Sequence, residues 1–261
     1  MINLYIVNTS MNLNDILVIK NLSKIYHTNK SEILAIDNLN LNIKEGEFVA
    51  IVGPSGCGKT TLLSILCGLE NKSDGELVFS KNDIRIGYML QNDTLFPWLN
   101  ILDNCLLGLR VNNNVNDENI EMVINLLNVY GLGDFIYKYP NNLSGGMRQR
   151  AALIRTLAIN PDILLLDEPF SALDYQTRLA VSDDVWKIIK KEKKTTIMIT
   201  HDVAEAISMA DRVIVLTDRP ASVKCEYVIE MENKSTPMNN RNNIRFKDYY
   251  DKIWKDIDIH V

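Results

Sequence analysis

The chain has 261 residues, with 28 lysines and arginines against 33 acids, a formal net charge of −5, and 46% hydrophobic and 23% charged residues. These are ordinary proportions for a globular protein, so disordered and collagen-like readings fall. The acidic balance also speaks against a general nucleic-acid coat, which needs an excess of base to displace counterions from phosphates. A chain of this length buries roughly three-quarters of its unfolded surface and lies near the upper size for a single core. The four cysteines, Cys57, Cys67, Cys105 and Cys225, have neither CxxC nor zinc-ligand spacing. That pattern fits a reducing compartment better than a disulfide framework.

The first residues, MINLYIVNTS, hold a short apolar run from Leu4 to Val7 with no basic residue before it. A secretory signal needs a basic start, and a membrane span needs about 20 mostly apolar residues, a length that no run here approaches. We therefore expect a chain that neither spans a membrane nor is secreted. The first ten or so residues read as a flexible extension or a misassigned start, since folded structure opens with NLNDILVIKNLSKIY, just after Met11.

Residues 16 to 52 read as β structure: ILVIKNLSKIY, then the alternating ILAIDNLNLNI, a Glu45-Gly46 turn, and the continuous apolar run FVAIV of a buried central strand. That run leads straight into a glycine loop and a helix. Residues 75 to 90 suggest another strand pair, and 92 to 110 a polar-to-aromatic loop with short helices. After the Asn-rich stretch Val111 to Asn116, the residues Ile120, Val123, Ile124 and Leu127 fall at i, i+3, i+4 and i+7 and predict a helix ending near Gly131. A second helix follows LSGG. Strands at Ile163 to Leu166 and Thr195 to Thr200 flank the amphipathic stretch Leu179 to Lys194. Alternating strands and helices predict a mainly parallel α/β sheet covered on both faces. Residues 233 to 247 are poor in hydrophobics and read as a linker to a short C-terminal helix holding Tyr249, Tyr250 and Trp254.

Three segments carry chemistry. Gly53-Pro-Ser-Gly-Cys-Gly58-Lys59-Thr60 fits GxxxxGK[ST] and sits between a strand and a helix, the context which that motif requires. Its backbone N–H groups and the helix N-terminus suit a β-phosphate, with Lys59 reaching the β- and γ-phosphates and the Thr60 hydroxyl a Mg²⁺ ion. The run ILLLDEP delivers Asp167 and Glu168 to the carboxyl end of a strand, where α/β sheets place their ligands. Side chains alternate along a strand, so Asp167 can face the metal and Glu168 the attacking water as general base. Leu143-Ser-Gly-Gly-Met147 precedes a helix with Arg148, Arg150 and Arg155. Ser144 and the backbone of Gly145 and Gly146 would offer a second helix N-terminus to an anion. One loop already holds the phosphates, so this second reader suggests the nucleotide of another subunit.

In order and spacing, these motifs resemble the nucleotide-binding subunit of an ABC transporter over about residues 14 to 220. The resemblance implies a P-loop NTPase of ABC type: a mainly parallel α/β core, an N-terminal antiparallel β subdomain and a helical subdomain at about 92–158. It places the ATPase domain at 14–232, a flexible extension at 1–13, and a linker with a short C-terminal helix at 233–261. It implies ATP and Mg²⁺ as ligands. Gly53, Pro54, Ser55, Gly56, Cys57, Gly58, Lys59, Thr60 and Thr61 match the Walker A motif, Asp167 and Glu168 Walker B, and Ser144, Gly145 and Gly146 the signature. Tyr26 in NLSKIYH is expected to stack on adenine. Gln91 in YMLQND matches the Q-loop glutamine, with a place at the metal and in catalysis, Ser171-Ala-Leu-Asp174 the D-loop, and His201 in MITHD the switch histidine sensing the γ-phosphate. Cys57 is expected to pack rather than react.

The resemblance also implies partners: a second copy in a head-to-tail dimer, integral-membrane permease subunits, and indirectly an extracytoplasmic substrate-binding protein, with no nucleic acid. The chain is then peripheral on the cytoplasmic face of the membrane. Leu95-Phe-Pro-Trp-Leu99 is either a groove for a permease helix or core of the helical subdomain. YMLQNDTLFPWLNILDN and LTDRPASV resemble the nitrate, sulfonate and taurine importer ATPases, and relatives that import pyrimidine-type vitamin precursors share these stretches. The alternative is a soluble ABC-type ATPase acting on nucleic acid or the ribosome; DNA-repair members need a long coiled-coil insertion between the motifs, and translation-type members need two tandem ATPase domains, neither of which the sequence shows.

Overall fold

The computed structural model of the chain describes residues 12–27 and 31–257. The expected N-terminal extension therefore lies outside the described residues, apart from Asn12 and the fully exposed Leu13.

Two long strands, β1 (Asp15–His27) and β2 (Glu32–Lys44), pair antiparallel. Next come the short apolar β3 (Phe48–Val52), the helix α1 (Lys59–Leu66) and β4 (Asp74–Phe79). β4 returns to β1, giving an antiparallel sheet of order β2-β1-β4. The strand β5 (Ile86–Met89) does not pair with β4, contrary to the strand pair expected over 75–90; it forms the edge of a second sheet, parallel to a strand nearly 80 residues later. The polar stretch between β4 and β5 carries the chain from one sheet to the other.

The helical part follows: α2 (Ile101–Cys105), α3 (Leu107–Val111), α4 (Asp117–Val129) and α5 (Gly145–Ala158). Asn116 caps α4 by accepting from Asn119 N, and Asp117 and Glu118 favour the positive end of its dipole. Gly131 sits at φ +74° just past its end, a left-handed position that suits glycine. The chain then alternates β6 (Ile163–Asp167), α6 (Tyr175–Lys191), β7 (Thr195–Ile199), α7 (Val203–Met209), β8 (Arg212–Leu216) and β9 (Val223–Val228). The larger sheet has the order β5-β6-β7-β3-β8-β9, parallel except for the final β8/β9 pair.

Period-two alternation divides the core. Phe48, Ala50 and Val52 of β3, with Leu164, Leu166 and Met198, face the cluster under α5, α6 and α7. Val49 and Ile51, with Leu165, Ile197 and Ile199, face α1 and the antiparallel sheet. The central strand is thus apolar at all five positions because both faces are covered. Asp167 falls on the α1 side by the same alternation, two residues beyond Leu165.

The stretch expected as a linker is packed instead. It holds a one-turn helix, α8 (Pro237–Asn240), before α9 (Phe246–Ile257). Asn240 is buried and donates to Ser208 O and Ser235 O, so polar bonds help anchor a segment with few apolar residues. Among the described residues no helix is long and apolar enough to cross a membrane.

Candidate active site

The loop from Gly53 to Gly58 turns from the carboxyl end of β3 into α1. Gly56 at φ +75° and Gly58 at φ +127° adopt backbone that L side chains avoid, and a Cβ on Gly58 would meet Ala35 O at 2.9 Å. No side chain caps α1 and no acid lies in its first turn, so its N–H groups are left for an anion. Ser55, Gly56, Gly58, Lys59, Thr60, Thr61 and Glu168 line an open cavity of about 240 Å³ there. Gly53, Pro54 and Cys57 are not among its lining residues. Lys59 is folded back, donating from Nζ to Gly53 O at 2.9 Å and Pro54 O at 2.8 Å. Cys57 is buried with its sulfur 3.8 Å from Lys59 Nζ, and burial pushes the thiol up, against a reactive thiolate. Tyr26 reaches over from β1: its hydroxyl lies 3.4 Å from Thr61 Oγ1, and Lys24 Nζ sits 4.6 Å from its ring centre.

The acid pair splits in direction. Asp167 turns inward, with Oδ1 3.4 Å from the Thr60 hydroxyl and Oδ2 accepting from Tyr88 OH at 3.0 Å. Burial pushes its carboxyl up, the Tyr88 bond opposes this, and the charge of Glu168 adds to the rise. Glu168 breaks the strand at φ +45°, a strained backbone for a non-glycine residue. Its N–H donates to Ile199 O, and its own carbonyl accepts from Ser171 Oγ. So held, Glu168 Oε2 lies 3.2 Å from Gln91 Nε2 and 3.0 Å from His201 Nδ1. Gln91 Nε2 also donates to Ser171 Oγ at 3.2 Å. A carboxylate between an amide and an imidazole, beside an anion cradle, can orient and deprotonate a water.

The signature stretch stands apart. Ser144 caps α5 by accepting from Met147 N at 3.3 Å. None of Ser144, Gly145 or Gly146 lines the cavity at the glycine loop, and among the described residues no hydrogen bond joins the two segments. Gly146 is buried against α6, where a Cβ would meet Val181 Cγ2 at 2.6 Å, so it serves close helix packing as well. The three arginines of α5 are turned inward to the protein. Arg148 pairs with Asp93 at 2.9 Å, Arg155 bonds Asp93 O and Thr94 O, and Arg150 bonds Tyr130 O. Asp174 caps α6 through Thr177 N, which holds its carboxyl below the usual range. The apolar loop divides: Leu95 is buried, whereas Trp98 is 70% exposed and stacks on Phe96 at 4.9 Å.

Tyr88 escapes sequence reasoning because its role depends on register. It pairs with Leu165, two residues before Asp167 on the same face. Arg178, Thr200 and Glu205, which surround the turn carrying His201, are likewise joined only by the fold.

A glycine loop feeding a helix N-terminus at the end of a central parallel strand, with an acid pair on a nearby strand, defines a nucleoside-triphosphate-binding P-loop protein. The family model described as ABC transporter matches residues 36–171, just over half of the chain, which belongs to that family and is an ATP-binding ATPase. An uncharacterised ABC transporter ATP-binding protein of Bacillus subtilis is 42% identical over 238 residues, 89% of this chain and 92% of its own length. The nitrate import ATP-binding protein NrtD of Synechocystis is 37% identical over 248 residues, 91% and 93% of the two chains. Among solved structures, an ATP-binding cassette in a dimeric post-hydrolysis state with ADP and Pi superposes with TM-score 0.69 at 34% identity, covering 82% of this chain and 99% of its own.

Proposed function

We propose that the chain is the ATP-hydrolysing subunit of an importer for a small nitrate-, sulfonate- or taurine-like anion. It works as a head-to-tail pair on permease subunits at the cytoplasmic face of the membrane, and an extracytoplasmic binding protein delivers the solute. The carrying observation is Glu168, held between Gln91 and His201 at the mouth of the glycine-loop cavity. The nitrate import relative, similar over 93% of its length, supports the solute class. The dimeric cassette structure and the separation of Ser144 from the glycine loop support a site completed by a second copy.

In this reading the loop N–H groups and the α1 N-terminus hold the β-phosphate, and Tyr26 stacks on adenine. Lys59 exchanges its two loop carbonyls for phosphate oxygens. Thr60 and Asp167 present oxygen donors 3.4 Å apart, a fit for Mg²⁺, which commonly takes few protein ligands beside substrate phosphates. Together with Gln91 they would hold the ion, which when bound would supply positive charge against the triphosphate. Glu168 accepts the proton of the attacking water, and His201 reads the γ-phosphate. Ser144, Gly145 and Gly146 of the second copy close on the same phosphate, with Asp174 at the seam. Trp98, exposed and stacked on the half-buried Phe96, offers the permease a surface in the loop after Gln91.

The test is Glu168→Gln, which keeps the shape and removes the base. ATP hydrolysis should fall by about 10²- to 10⁴-fold with ATP binding retained and a dimer accumulating on gel filtration. Hydrolysis near the wild-type rate would remove Glu168 from this role.

A further inference from the structure

The turn that carries His201 is gripped on both sides. Thr200, before it, donates from Oγ1 to Glu205 Oε2 at 2.7 Å and accepts at that oxygen from Asp202 N at 3.0 Å. Asp202, after it, caps α7 with Oδ1 and leaves Oδ2 3.5 Å from Arg178. Both grips lead to Arg178 on α6. Its NH2 group donates to Leu173 O at 3.1 Å, inside the Ser171 to Asp174 turn, and its Nε faces Glu205 Oε1 at 3.8 Å. That last separation is too long for a hydrogen bond, and Arg178 Nε is buried without a partner. Glu205 is only 3% exposed. The charged groups facing it are Arg178 from α6, Asp202 from its own cap, and Arg241 from the segment after α8, whose Nε is also buried without a partner. Burial pushes the Glu205 carboxyl up to about 7.

Buried polar groups are normally satisfied, and the exceptions call for a reason. Here an unused donor and an acid oxygen face each other one small side-chain adjustment short of a bonded ion pair. A movement of Leu173 displaces Arg178 directly, because the two are bonded. Any resulting change at Glu205 is passed to Thr200, one residue from His201, whose Nδ1 touches Glu168.

We propose that Arg178 and Glu205 are positioning residues that tie the Ser171 to Asp174 turn to His201, so that a second copy closing on this turn sets the imidazole against Glu168. The inference rests on the role given above to His201 and on the two-copy site.

The experiment is steady-state ATP hydrolysis by the full chain carrying Glu205→Gln, Arg178→Lys, or both. Each single change should lower kcat about tenfold, the loss of one charge-assisted hydrogen bond, with the KM for ATP kept within about twofold. The double variant should be no slower than the worse single, because both changes cut one link. In the wild type, kcat should rise with pH through about 7 as Glu205 ionises and pairs with Arg178, and Glu205→Gln should lose that step. Single losses that multiply in the double variant, or a pH step that survives in Glu205→Gln, overturn the proposal. His201→Ala separates the two levels. If that variant hydrolyses ATP normally, the underlying role of His201 fails. If it is inactive while Glu205→Gln and Arg178→Lys turn over normally, only the link fails.

Discussion

Glu205→Gln should make the folded chain more stable at alkaline pH. The carboxyl titrates at about 7 in the folded protein against an ordinary value of 4.5, chiefly because burial strips its water, while the Thr200 hydroxyl, Arg178 and Arg241 only partly offset this. A folded value above the unfolded one means that the neutral form is favoured in the fold. Below about pH 4.5 both states are protonated and the group costs nothing. As pH rises from there to about 7 the unfolded chain ionises first, and stability is lost. Above 7 the cost is complete, about 3 kcal/mol at 1.36 kcal/mol for each tenfold change in proton affinity. Glutamine cannot ionise and still offers an oxygen to Thr200. Urea unfolding of both chains between pH 4.5 and 8 should therefore show equal stability at the acid end and a gap opening toward about 3 kcal/mol at the alkaline end, with the variant above. Parallel curves, or a variant less stable at pH 8, would refute the reasoning, because the two guanidiniums would then outweigh desolvation. A more stable yet slower enzyme is the pattern that strain kept for function produces, and a purely structural role for Glu205 does not generate it.

Gly146→Ala should destabilise the fold by about 1–3 kcal/mol, because its Cβ would lie 2.6 Å from Val181 Cγ2 and α5 and α6 must move apart. A thermal melt measures this, Val181→Ala in the same chain should recover most of it, and an unchanged melting temperature would show that the helices yield freely. Tyr88→Phe removes the donor that orients Asp167 Oδ2. The Mg²⁺ concentration for half-maximal hydrolysis should rise about tenfold, the lower end for lost outer-shell support, and an unchanged Mg²⁺ dependence would exclude Tyr88 from the metal site.

The glycine loop, the acid pair and the capped α5 are legible because each is local: a few consecutive residues fix both the backbone geometry and the chemistry. β3 is legible for a similar reason, since a five-residue apolar run rich in β-branched residues and ended by a glycine loop suits a strand buried on both faces. What the sequence hides is set by pairing across distance. Nothing in residues 75 to 90 says that β4 joins β1 while β5 lies against β6, yet that choice brings Tyr88 to Asp167. Arg148 and Arg155 read in the sequence only as cations on the helix after LSGG, and become ties to the 93–94 loop once α5 is packed beside it. Residues 233 to 247 read as a linker by hydropathy, because their anchoring depends on hydrogen bonds such as that from Asn240 to Ser208 O.

Those ties carry a consequence for Glu168. Arg148 is bonded both to Leu143 O, at the start of the signature, and to Asp93, two residues beyond Gln91. Arg155, two turns along α5, holds the backbone of Asp93 and Thr94, and Thr94 itself is fixed in left-handed backbone at φ +46°. The signature helix and the loop after Gln91 are therefore bound to each other more firmly than Gln91 is to Glu168, to which it offers one exposed 3.2 Å bond. A force on the α5 N-terminus would then reach the Gln91 contact through this loop. On the proposed link, Arg178 acts on the same carboxylate through Glu205, Thr200 and His201. Glu168 is the point where both routes end: its carboxylate meets Gln91 on one and His201 on the other, while its backbone is fixed separately by Ile199 O and Ser171.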